Sequence, residues 1–242
     1  AVSAALVMGK LLMTREIYRV RLGEICFDRK MIRRIVDIGL PAAIQQSITS
    51  FSNVIVQSYI NYFGTAAMAG YSATLRVDGF LQLPLQSFNM TITTFVGQNI
   101  GAKEYKRVKK GIFTSWLMCS GIILVGSVIM FLKAPSIIGI FTEDAAVISV
   151  GSSMIRIFGS AYLFLPIIQI LNGALRGAGR SKVPMYFMLG CFVLLRQIYL
   201  MIAVPMTKNV SVVFAGWPVT WVVCAIGMLV YYFKVDWLPK EE

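Results

Sequence analysis

The chain has 242 residues, 57% hydrophobic and 14% charged, with mean hydropathy +0.72, whereas a soluble domain carries about 25% charged residues. It has no His, and its four cysteines (Cys26, Cys119, Cys191, Cys224) stand at no metal-ligand spacing, which argues against a zinc centre or histidine-based catalysis. The formal charge of +12 sits beside long apolar runs, so it reports orientation in a membrane and not a nucleic-acid partner.

In chain order, residues 1–13 are apolar but too few to cross a bilayer. No basic start followed by a small-residue cleavage site marks a signal peptide. The stretch reads as the end of a helix that begins before this chain. Six spans follow, at about 34–62, 66–98, 111–132, 145–172, 183–206 and 211–233. The expected fold class is all-α, a polytopic transmembrane helical bundle. Its expected organisation is a preceding helix end plus basic cytoplasmic linker (1–33), a six-helix lobe (34–236) and a cytoplasmic tail (237–242).

Basic residues set the orientation. Eighteen of the 23 Lys and Arg residues fall on one side: Lys10 to Arg34, Lys103 to Lys110, Arg176 to Lys182, and Lys234 with Lys240. Only Lys133 and Lys208 fall on the other. The basic side and the C-terminus are therefore expected in the cytoplasm of a multi-pass plasma-membrane protein, with membrane lipid as a partner. Tyr62, Phe63, Trp217, Tyr231 and Tyr232 lie near span ends and read as interfacial anchors. Cys119, Cys191 and Cys224 lie in apolar spans and read as small packing residues.

Two spans carry polar stripes. Gln46, Ser50, Asn53 and Gln57 share one face of the first span, and Asp78, Gln82, Gln86 and Asn89 share one face of the second. Facing lipid, such stripes cost several kcal/mol in unmet polar groups. They face protein, as glue between helices, or a water-filled cavity; two complete stripes favour the cavity. Asp78 is the only acid well inside a span, and intramembrane carboxylates mark ion or substrate pathways. Its alternative role is a structural ion pair with Arg156 or Arg196; Arg76, two residues away, faces another side of the helix. Asp37 beside Arg33 and Arg34 reads as interfacial. Pro41, Pro84, Pro166 and Pro218 fall within spans, where each can kink its helix.

Several segments are recognisable together: Gly39-Leu40-Pro41, Ala73 to Phe80 (ATLRVDGF), Phe95 to Ala102 (FVGQNIGA) followed by a basic run, and Gly173 to Arg180 (GALRGAGR). In this order they resemble the C-terminal lobe of multidrug and toxic compound extrusion (MATE) transporters, within a wider superfamily of lipid and polysaccharide flippases. The resemblance implies twelve helices in two lobes around a central cavity, this chain supplying helices seven to twelve and lacking the N-terminal lobe. It implies export of small organic, often cationic, compounds against inward H+ or Na+ flow. Some members carry cation-binding acids on helices seven and ten. Here Gln45, Gln46, Gln57, Gln169 and Asn172 stand there with no mid-span acid, and Arg180 replaces the Asp that usually ends the second motif, which argues against a sodium site in this lobe. Gly97, Gly101, Gly173 and Gly177 pair at i, i+4 for close helix approach or tight turns.

The expected function is thus an ion-gradient-driven antiporter, with substrate contacting both stripes plus Tyr162 and Gln169, and Asp78 as the coupling candidate. A lipid-linked-precursor flippase is the alternative, with Arg76, Arg156 and Arg196 as the basic residues for phosphate. An enzyme is not expected, since no nucleophile–base or paired-acid constellation is present, and neither is a cofactor.

Overall fold

The computed structural model describes residues 2–14 and 28–238. It divides the chain into two compact units, Ala1–Asp37 and Ile38–Glu242. In the first, α1 spans Val2–Met13 and α2 (Arg29–Asn61) begins. Asp28 caps α2 by accepting from the backbone N–H groups of Lys30 at 2.7 Å and Met31 at 3.3 Å. Helix therefore starts five residues before the expected span boundary, because a capping aspartate precedes the apolar run. Arg33 Nε lies 4.0 Å from Asp37 Oδ2, with both side chains exposed, an exposed pair worth little to stability. Residues 15–27, with Cys26 and three of the arginines behind the orientation argument, lie outside the described residues.

The second unit holds the rest of α2, then α3 (Thr65–Gly101), α4 (Tyr105–Gly139), α5 (Ala145–Gly159) and α6 (Phe164–Gly177). It closes with α7 (Lys182–Leu189), a π-helical turn Gly190–Leu195, α8 (Arg196–Thr207) and α9 (Val210–Lys234). Each of the six expected spans is helical, but two are not simple. The fourth is α5 and α6, bent by 59°. The fifth is α7 and α8 joined through the π turn. Among the described residues α4, Lys182–Thr207 and α9 are each long and apolar enough to cross a membrane, and the bent pair is a fourth such span if taken as one. Both α2 and α3 have the length, with 33 and 37 residues, but the polar stripes dilute their hydropathy.

The break between α5 and α6 has local causes. Gly159 ends one helix, and Pro166 sits in the first turn of the next, where its missing N–H costs nothing. Tight turns satisfy the backbone between: Ala161 N–H donates to Phe158 O at 3.0 Å, Phe164 N–H to Ala161 O at 3.1 Å and Leu165 N–H to Tyr162 O at 3.0 Å. Irregular backbone at membrane depth survives only when so satisfied and covered by protein, and Ala161 and Tyr162 are both buried. Of the other prolines, Pro41, Pro84 and Pro218 lie inside continuous helices. The distorted residue is Lys133 (φ −106°, ψ 17°), two positions before Pro135 in α4.

The outer surface is apolar. Leu117, Val125 and Ile129 on α4, Met201 and Ile202 on α8, and Val223 and Ile226 on α9 are all exposed, an extent of apolar surface that water-soluble monomers avoid. Inside, α3 packs against α4, α5 and α6, while α9 packs against α5, α6 and α8. The α3–α6 seam depends on glycine. A Cβ at Gly173 would come within 2.5 Å of Asn89 O and Ile92 Cγ2, and one at Gly177 would strike Thr93 O. Such small-residue contacts let membrane helices approach closely. Gly97 faces Gly177 O at 3.5 Å from its would-be Cβ, whereas Gly101 has nothing within 4 Å. Gly101 therefore does not belong to the seam; it ends α3 at the tight turn closed by Lys103 N–H donating to Ile100 O at 3.0 Å, the other role expected for these glycines.

Trp217 also departs from expectation. It is 8% exposed and no interfacial anchor. Two turns into α9, its ring meets Tyr71 at 6.0 Å and Phe158 at 5.3 Å between centroids. Trp221 stacks on Tyr162 at 5.7 Å in the same cluster. Aromatic pairs at these separations gain on the order of 1 kcal/mol beyond their area. Cys119 and Cys224 are buried and Cys191 half-buried, all three as free thiols.

Candidate functional site

The stripe of α3 turns toward the break in the fourth span. Asp78 is half-buried and accepts two hydrogen bonds, from Tyr162 Oη at 2.7 Å and Gln82 Nε2 at 3.2 Å. Tyr162 lies in the irregular segment between α5 and α6 and has no exposed surface, so its hydroxyl serves Asp78 alone. Neither Arg76, Arg156 nor Arg196 forms an ion pair with Asp78: the first two are exposed, and the third is occupied elsewhere. The structural ion pair weighed from sequence is replaced by neutral donors. They hold the carboxylate in place without supplying a counter-charge.

Further along α3, Asn89 Nδ2 donates to Gln169 O at 2.7 Å and to Gln169 Oε1 at 3.3 Å. This pair is interhelical glue between α3 and α6, the role weighed for the amides from sequence. Gln86 is exposed. On α2, Gln46, Ser50 and Asn53 are exposed, while Gln57 is half-buried and donates to Asn61 Oδ1 at 3.1 Å. Exposed amides at membrane depth are costly against lipid, so this face of α2 is one that water or further protein covers. The sequence-chosen residues thus form two groups. Asp78, Gln82 and Tyr162 are brought together, and Asn89 joins Gln169. Gln46, Ser50, Asn53 and Gln86 line exposed surface.

Sequence reading missed a third group. Arg196, the first residue after the π turn, is 3% exposed. Its Nη1 donates to Asn53 Oδ1 at 3.2 Å and its Nη2 to Thr220 Oγ1 at 3.3 Å. The guanidinium stands 5.0 Å from the Trp217 ring centroid and 5.4 Å from that of Phe192. Cation–π contacts of this kind, desolvated, contribute on the order of 2 kcal/mol. They offset part of the burial cost, but no carboxylate among the described residues pairs with it. Tyr71 stands within electrostatic reach of both Arg196 and Asp78. Signals for this group existed: Arg196 is the sole charge in the apolar run 184–205, with Phe192 one turn before it. Its partner Asn53 was assigned to the stripe instead.

Around Arg196, α2 is tied to the bundle by side chains. Ser52 Oγ donates to Phe192 O at 3.2 Å, and Gln197 Nε2 donates to Ser52 Oγ at 2.9 Å. Nearer the basic end, Arg176 Nη2 donates to Gln45 Oε1 at 2.9 Å. The Phe192 carbonyl that accepts from Ser52 lies within the π turn, and π-bulges recur at functional sites.

Broken spans beside polar groups at membrane depth recur in secondary transporters. Comparison with known proteins agrees. The family model MatE matches residues 41–202. The probable multidrug resistance protein NorM of Thermotoga maritima is 28% identical over 171 residues, covering 71% of this chain and 37% of that protein. A crystal structure of MATE in the straight conformation superposes with TM-score 0.87 at 17% identity, over 95% of this chain and 52% of that one. The MATE transporter ClbM in complex with Rb+ superposes with TM-score 0.78 at 22% identity, over 88% of this chain and 48% of that one. The chain spans a little over a third of that NorM relative and about half of these solved transporters. With two thirds of its length matched by one family model and its helices superposing on solved members, the chain belongs to the MatE family.

Proposed function

We propose that this chain acts as the C-terminal half of an ion-gradient-driven antiporter that exports organic cations by alternating access. The observation that carries the reading is Asp78, an intramembrane carboxylate held by Tyr162 and Gln82 with no basic partner among the described residues. Such a group can exchange a proton or Na+ for a cationic substrate, because each neutralises the same charge and the two cannot do so together. The exposed face of Gln46, Ser50, Asn53 and Gln86 supplies neutral hydrogen bonding to varied substrates. Its partner surface is the N-terminal lobe. On this reading the basic loops and the C-terminus are cytoplasmic, and no chemical bond is made or broken, so the protein is not an enzyme.

The test is transport by the full-length protein in everted vesicles. A fluorescent organic cation is followed under an imposed H+ or Na+ gradient, for wild type and Asp78→Asn. Gradient-driven accumulation that disappears in the variant at equal expression is the expected result. Accumulation that persists in Asp78→Asn removes Asp78 from the coupling role.

A second reading, a flippase for lipid-linked precursors, rests on one observation: Arg196 is buried with no acid beside it among the described residues. A phosphate cargo would supply that counter-charge. Against it, Arg76 and Arg156 are exposed, so a single arginine points inward. Movement of a labelled lipid-linked phosphate in the same vesicles, with no cation accumulation, would favour this second reading over the first.

A further inference from the structure

Away from Asp78, near the basic end of the bundle, α6 forms the floor of a cavity of about 400 Å³. Ile167, Ile170 and Leu171 make the floor; Phe113 and Trp116 of α4 make one wall, and Phe233 of α9 stands on the other. The helices explain the gap, since α6 packs against both α4 and α9, leaving a crevice above it. Phe113 and Phe233 are exposed, continuous with the apolar outer surface. The lining brings only two polar side-chain atoms, the Tyr232 hydroxyl and the Trp116 Nε1–H, fewer than the roughly three partners an ordered water makes. Left empty, its lining loses dispersion contacts on one side. In a membrane the material at hand is alkyl chain.

Charge at one end specifies which chain. Lys109 and Lys110 precede Phe113 by about one helical turn on α4, and Lys234 follows Phe233 on α9. All three are exposed, and among the described residues none forms an ion pair. Glu104 and Asp236 lie on the same two elements' flanks, leaving the group net positive. An occupant matching both features carries an alkyl chain and an anionic headgroup. We propose that this crevice is a binding site for one anionic glycerophospholipid, an acyl chain lying over Ile167, Ile170 and Leu171 and the phosphate held by Lys109, Lys110 and Lys234. The site depends on membrane insertion alone and not on which compound is transported.

Trp116 lines the crevice and supplies the readout. The full-length transporter is reconstituted in nanodiscs of phosphatidylcholine with a fixed fraction of phosphatidylglycerol. Either lipid is dibrominated in its acyl chains, and the quenching that disappears in Trp116→Phe isolates this indole. Each lysine near a headgroup is worth roughly fivefold in relative affinity at low salt. Brominated phosphatidylglycerol should therefore quench Trp116 at much lower mole fraction than brominated phosphatidylcholine. Lys109→Gln, Lys110→Gln and Lys234→Gln, all exposed sites that leave the core untouched, should together bring the two lipids to equal quenching. Three results overturn the proposal: equal quenching by both lipids in the parent, a phosphatidylglycerol preference that survives the triple substitution, or no quenching of Trp116 by either, which would mean that another part of the protein covers the crevice.

Discussion

Replacing Gly173 by alanine tests the α3–α6 seam directly. The added Cβ would stand 2.5 Å from both Asn89 O and Ile92 Cγ2, and 3.0 Å from Thr93 Oγ1. Non-bonded carbon contacts settle near about 3.5 Å, so α6 must withdraw from α3 by roughly 1 Å. One of the atoms struck is backbone, so rotamer change alone gives no relief. Withdrawal also stretches the Asn89–Gln169 bond from 2.7 Å beyond hydrogen-bonding range. Overpacking costs typically 1–3 kcal/mol, and an interhelical hydrogen bond in a membrane about 0.6 kcal/mol. The sum is about 2–4 kcal/mol; at about 1–2 °C per kcal/mol for a full-length protein roughly twice this chain's length, that is roughly 2–8 °C in Tm. Gly101→Ala is the matched control, because a Cβ there meets nothing within 4 Å. The assay is thermal unfolding of the purified full-length protein in one detergent at one scan rate, since membrane proteins unfold irreversibly and the midpoint is a rate. Gly173→Ala melting with Gly101→Ala and wild type would refute the seam as the basis of α3–α6 packing.

Tyr162→Phe removes the 2.7 Å donor to Asp78 while keeping the ring stacked on Trp221. Gradient-driven transport should fall on the order of tenfold, as for loss of a group that positions a reacting partner, with Tm lowered by less than for Gly173→Ala. Ser52→Ala removes the donor to Phe192 O and the acceptor for Gln197. It should lower the Tm of the full-length protein by about 1–2 °C, equivalent to about 1 kcal/mol, and an unchanged Tm would deny the clasp a stabilising role.

The spans were readable from the sequence because apolar length is a strong signal, and the helices fall where the runs do. Their interruptions were not. Gly159 and Pro166 together terminate and restart a helix, yet each is common inside spans, and six residues separate them. The π turn at Gly190–Leu195 has no compositional mark, since one extra residue per turn leaves the apolar run intact. The site divided in the same way. Asp78 was visible as a lone acid, but its partner Tyr162 is 84 positions away and reaches it only because the fourth span breaks there. Trp217 was misplaced because closeness to a span end in sequence does not fix which face of α9 it occupies. Arg196 stood out as a charge, but single-helix periodicity could not show that Asn53 and Thr220 converge on it from two other helices.

The two neighbours of the candidate cavity face are held by different forces, and this indicates which of them moves. Along its length α3 is gripped by backbone-scale contacts, with Gly173 and Gly177 against it on α6 and Thr74 Oγ1 donating to Gly151 O of α5 at 3.2 Å. Such a seam has no second arrangement within reach, because sliding either helix drives a side chain into backbone. By contrast α2 buries the apolar Val56 and Ile60 near its far end and Pro41 one turn before Gln45, and its other attachments run through Gln45, Ser52 and Asn53. Five hydrogen bonds link these three residues to Arg176, Phe192, Arg196 and Gln197. At about 0.6 kcal/mol each in a membrane they total roughly 3 kcal/mol, which leaves an unclasped state populated at the level of about one per cent. That is the range in which a ligand with a modest preference shifts the balance. The proposed alternating access therefore places the motion in α2, pivoting about Val56 and Ile60, with α3 and Asp78 as the fixed side of the cavity.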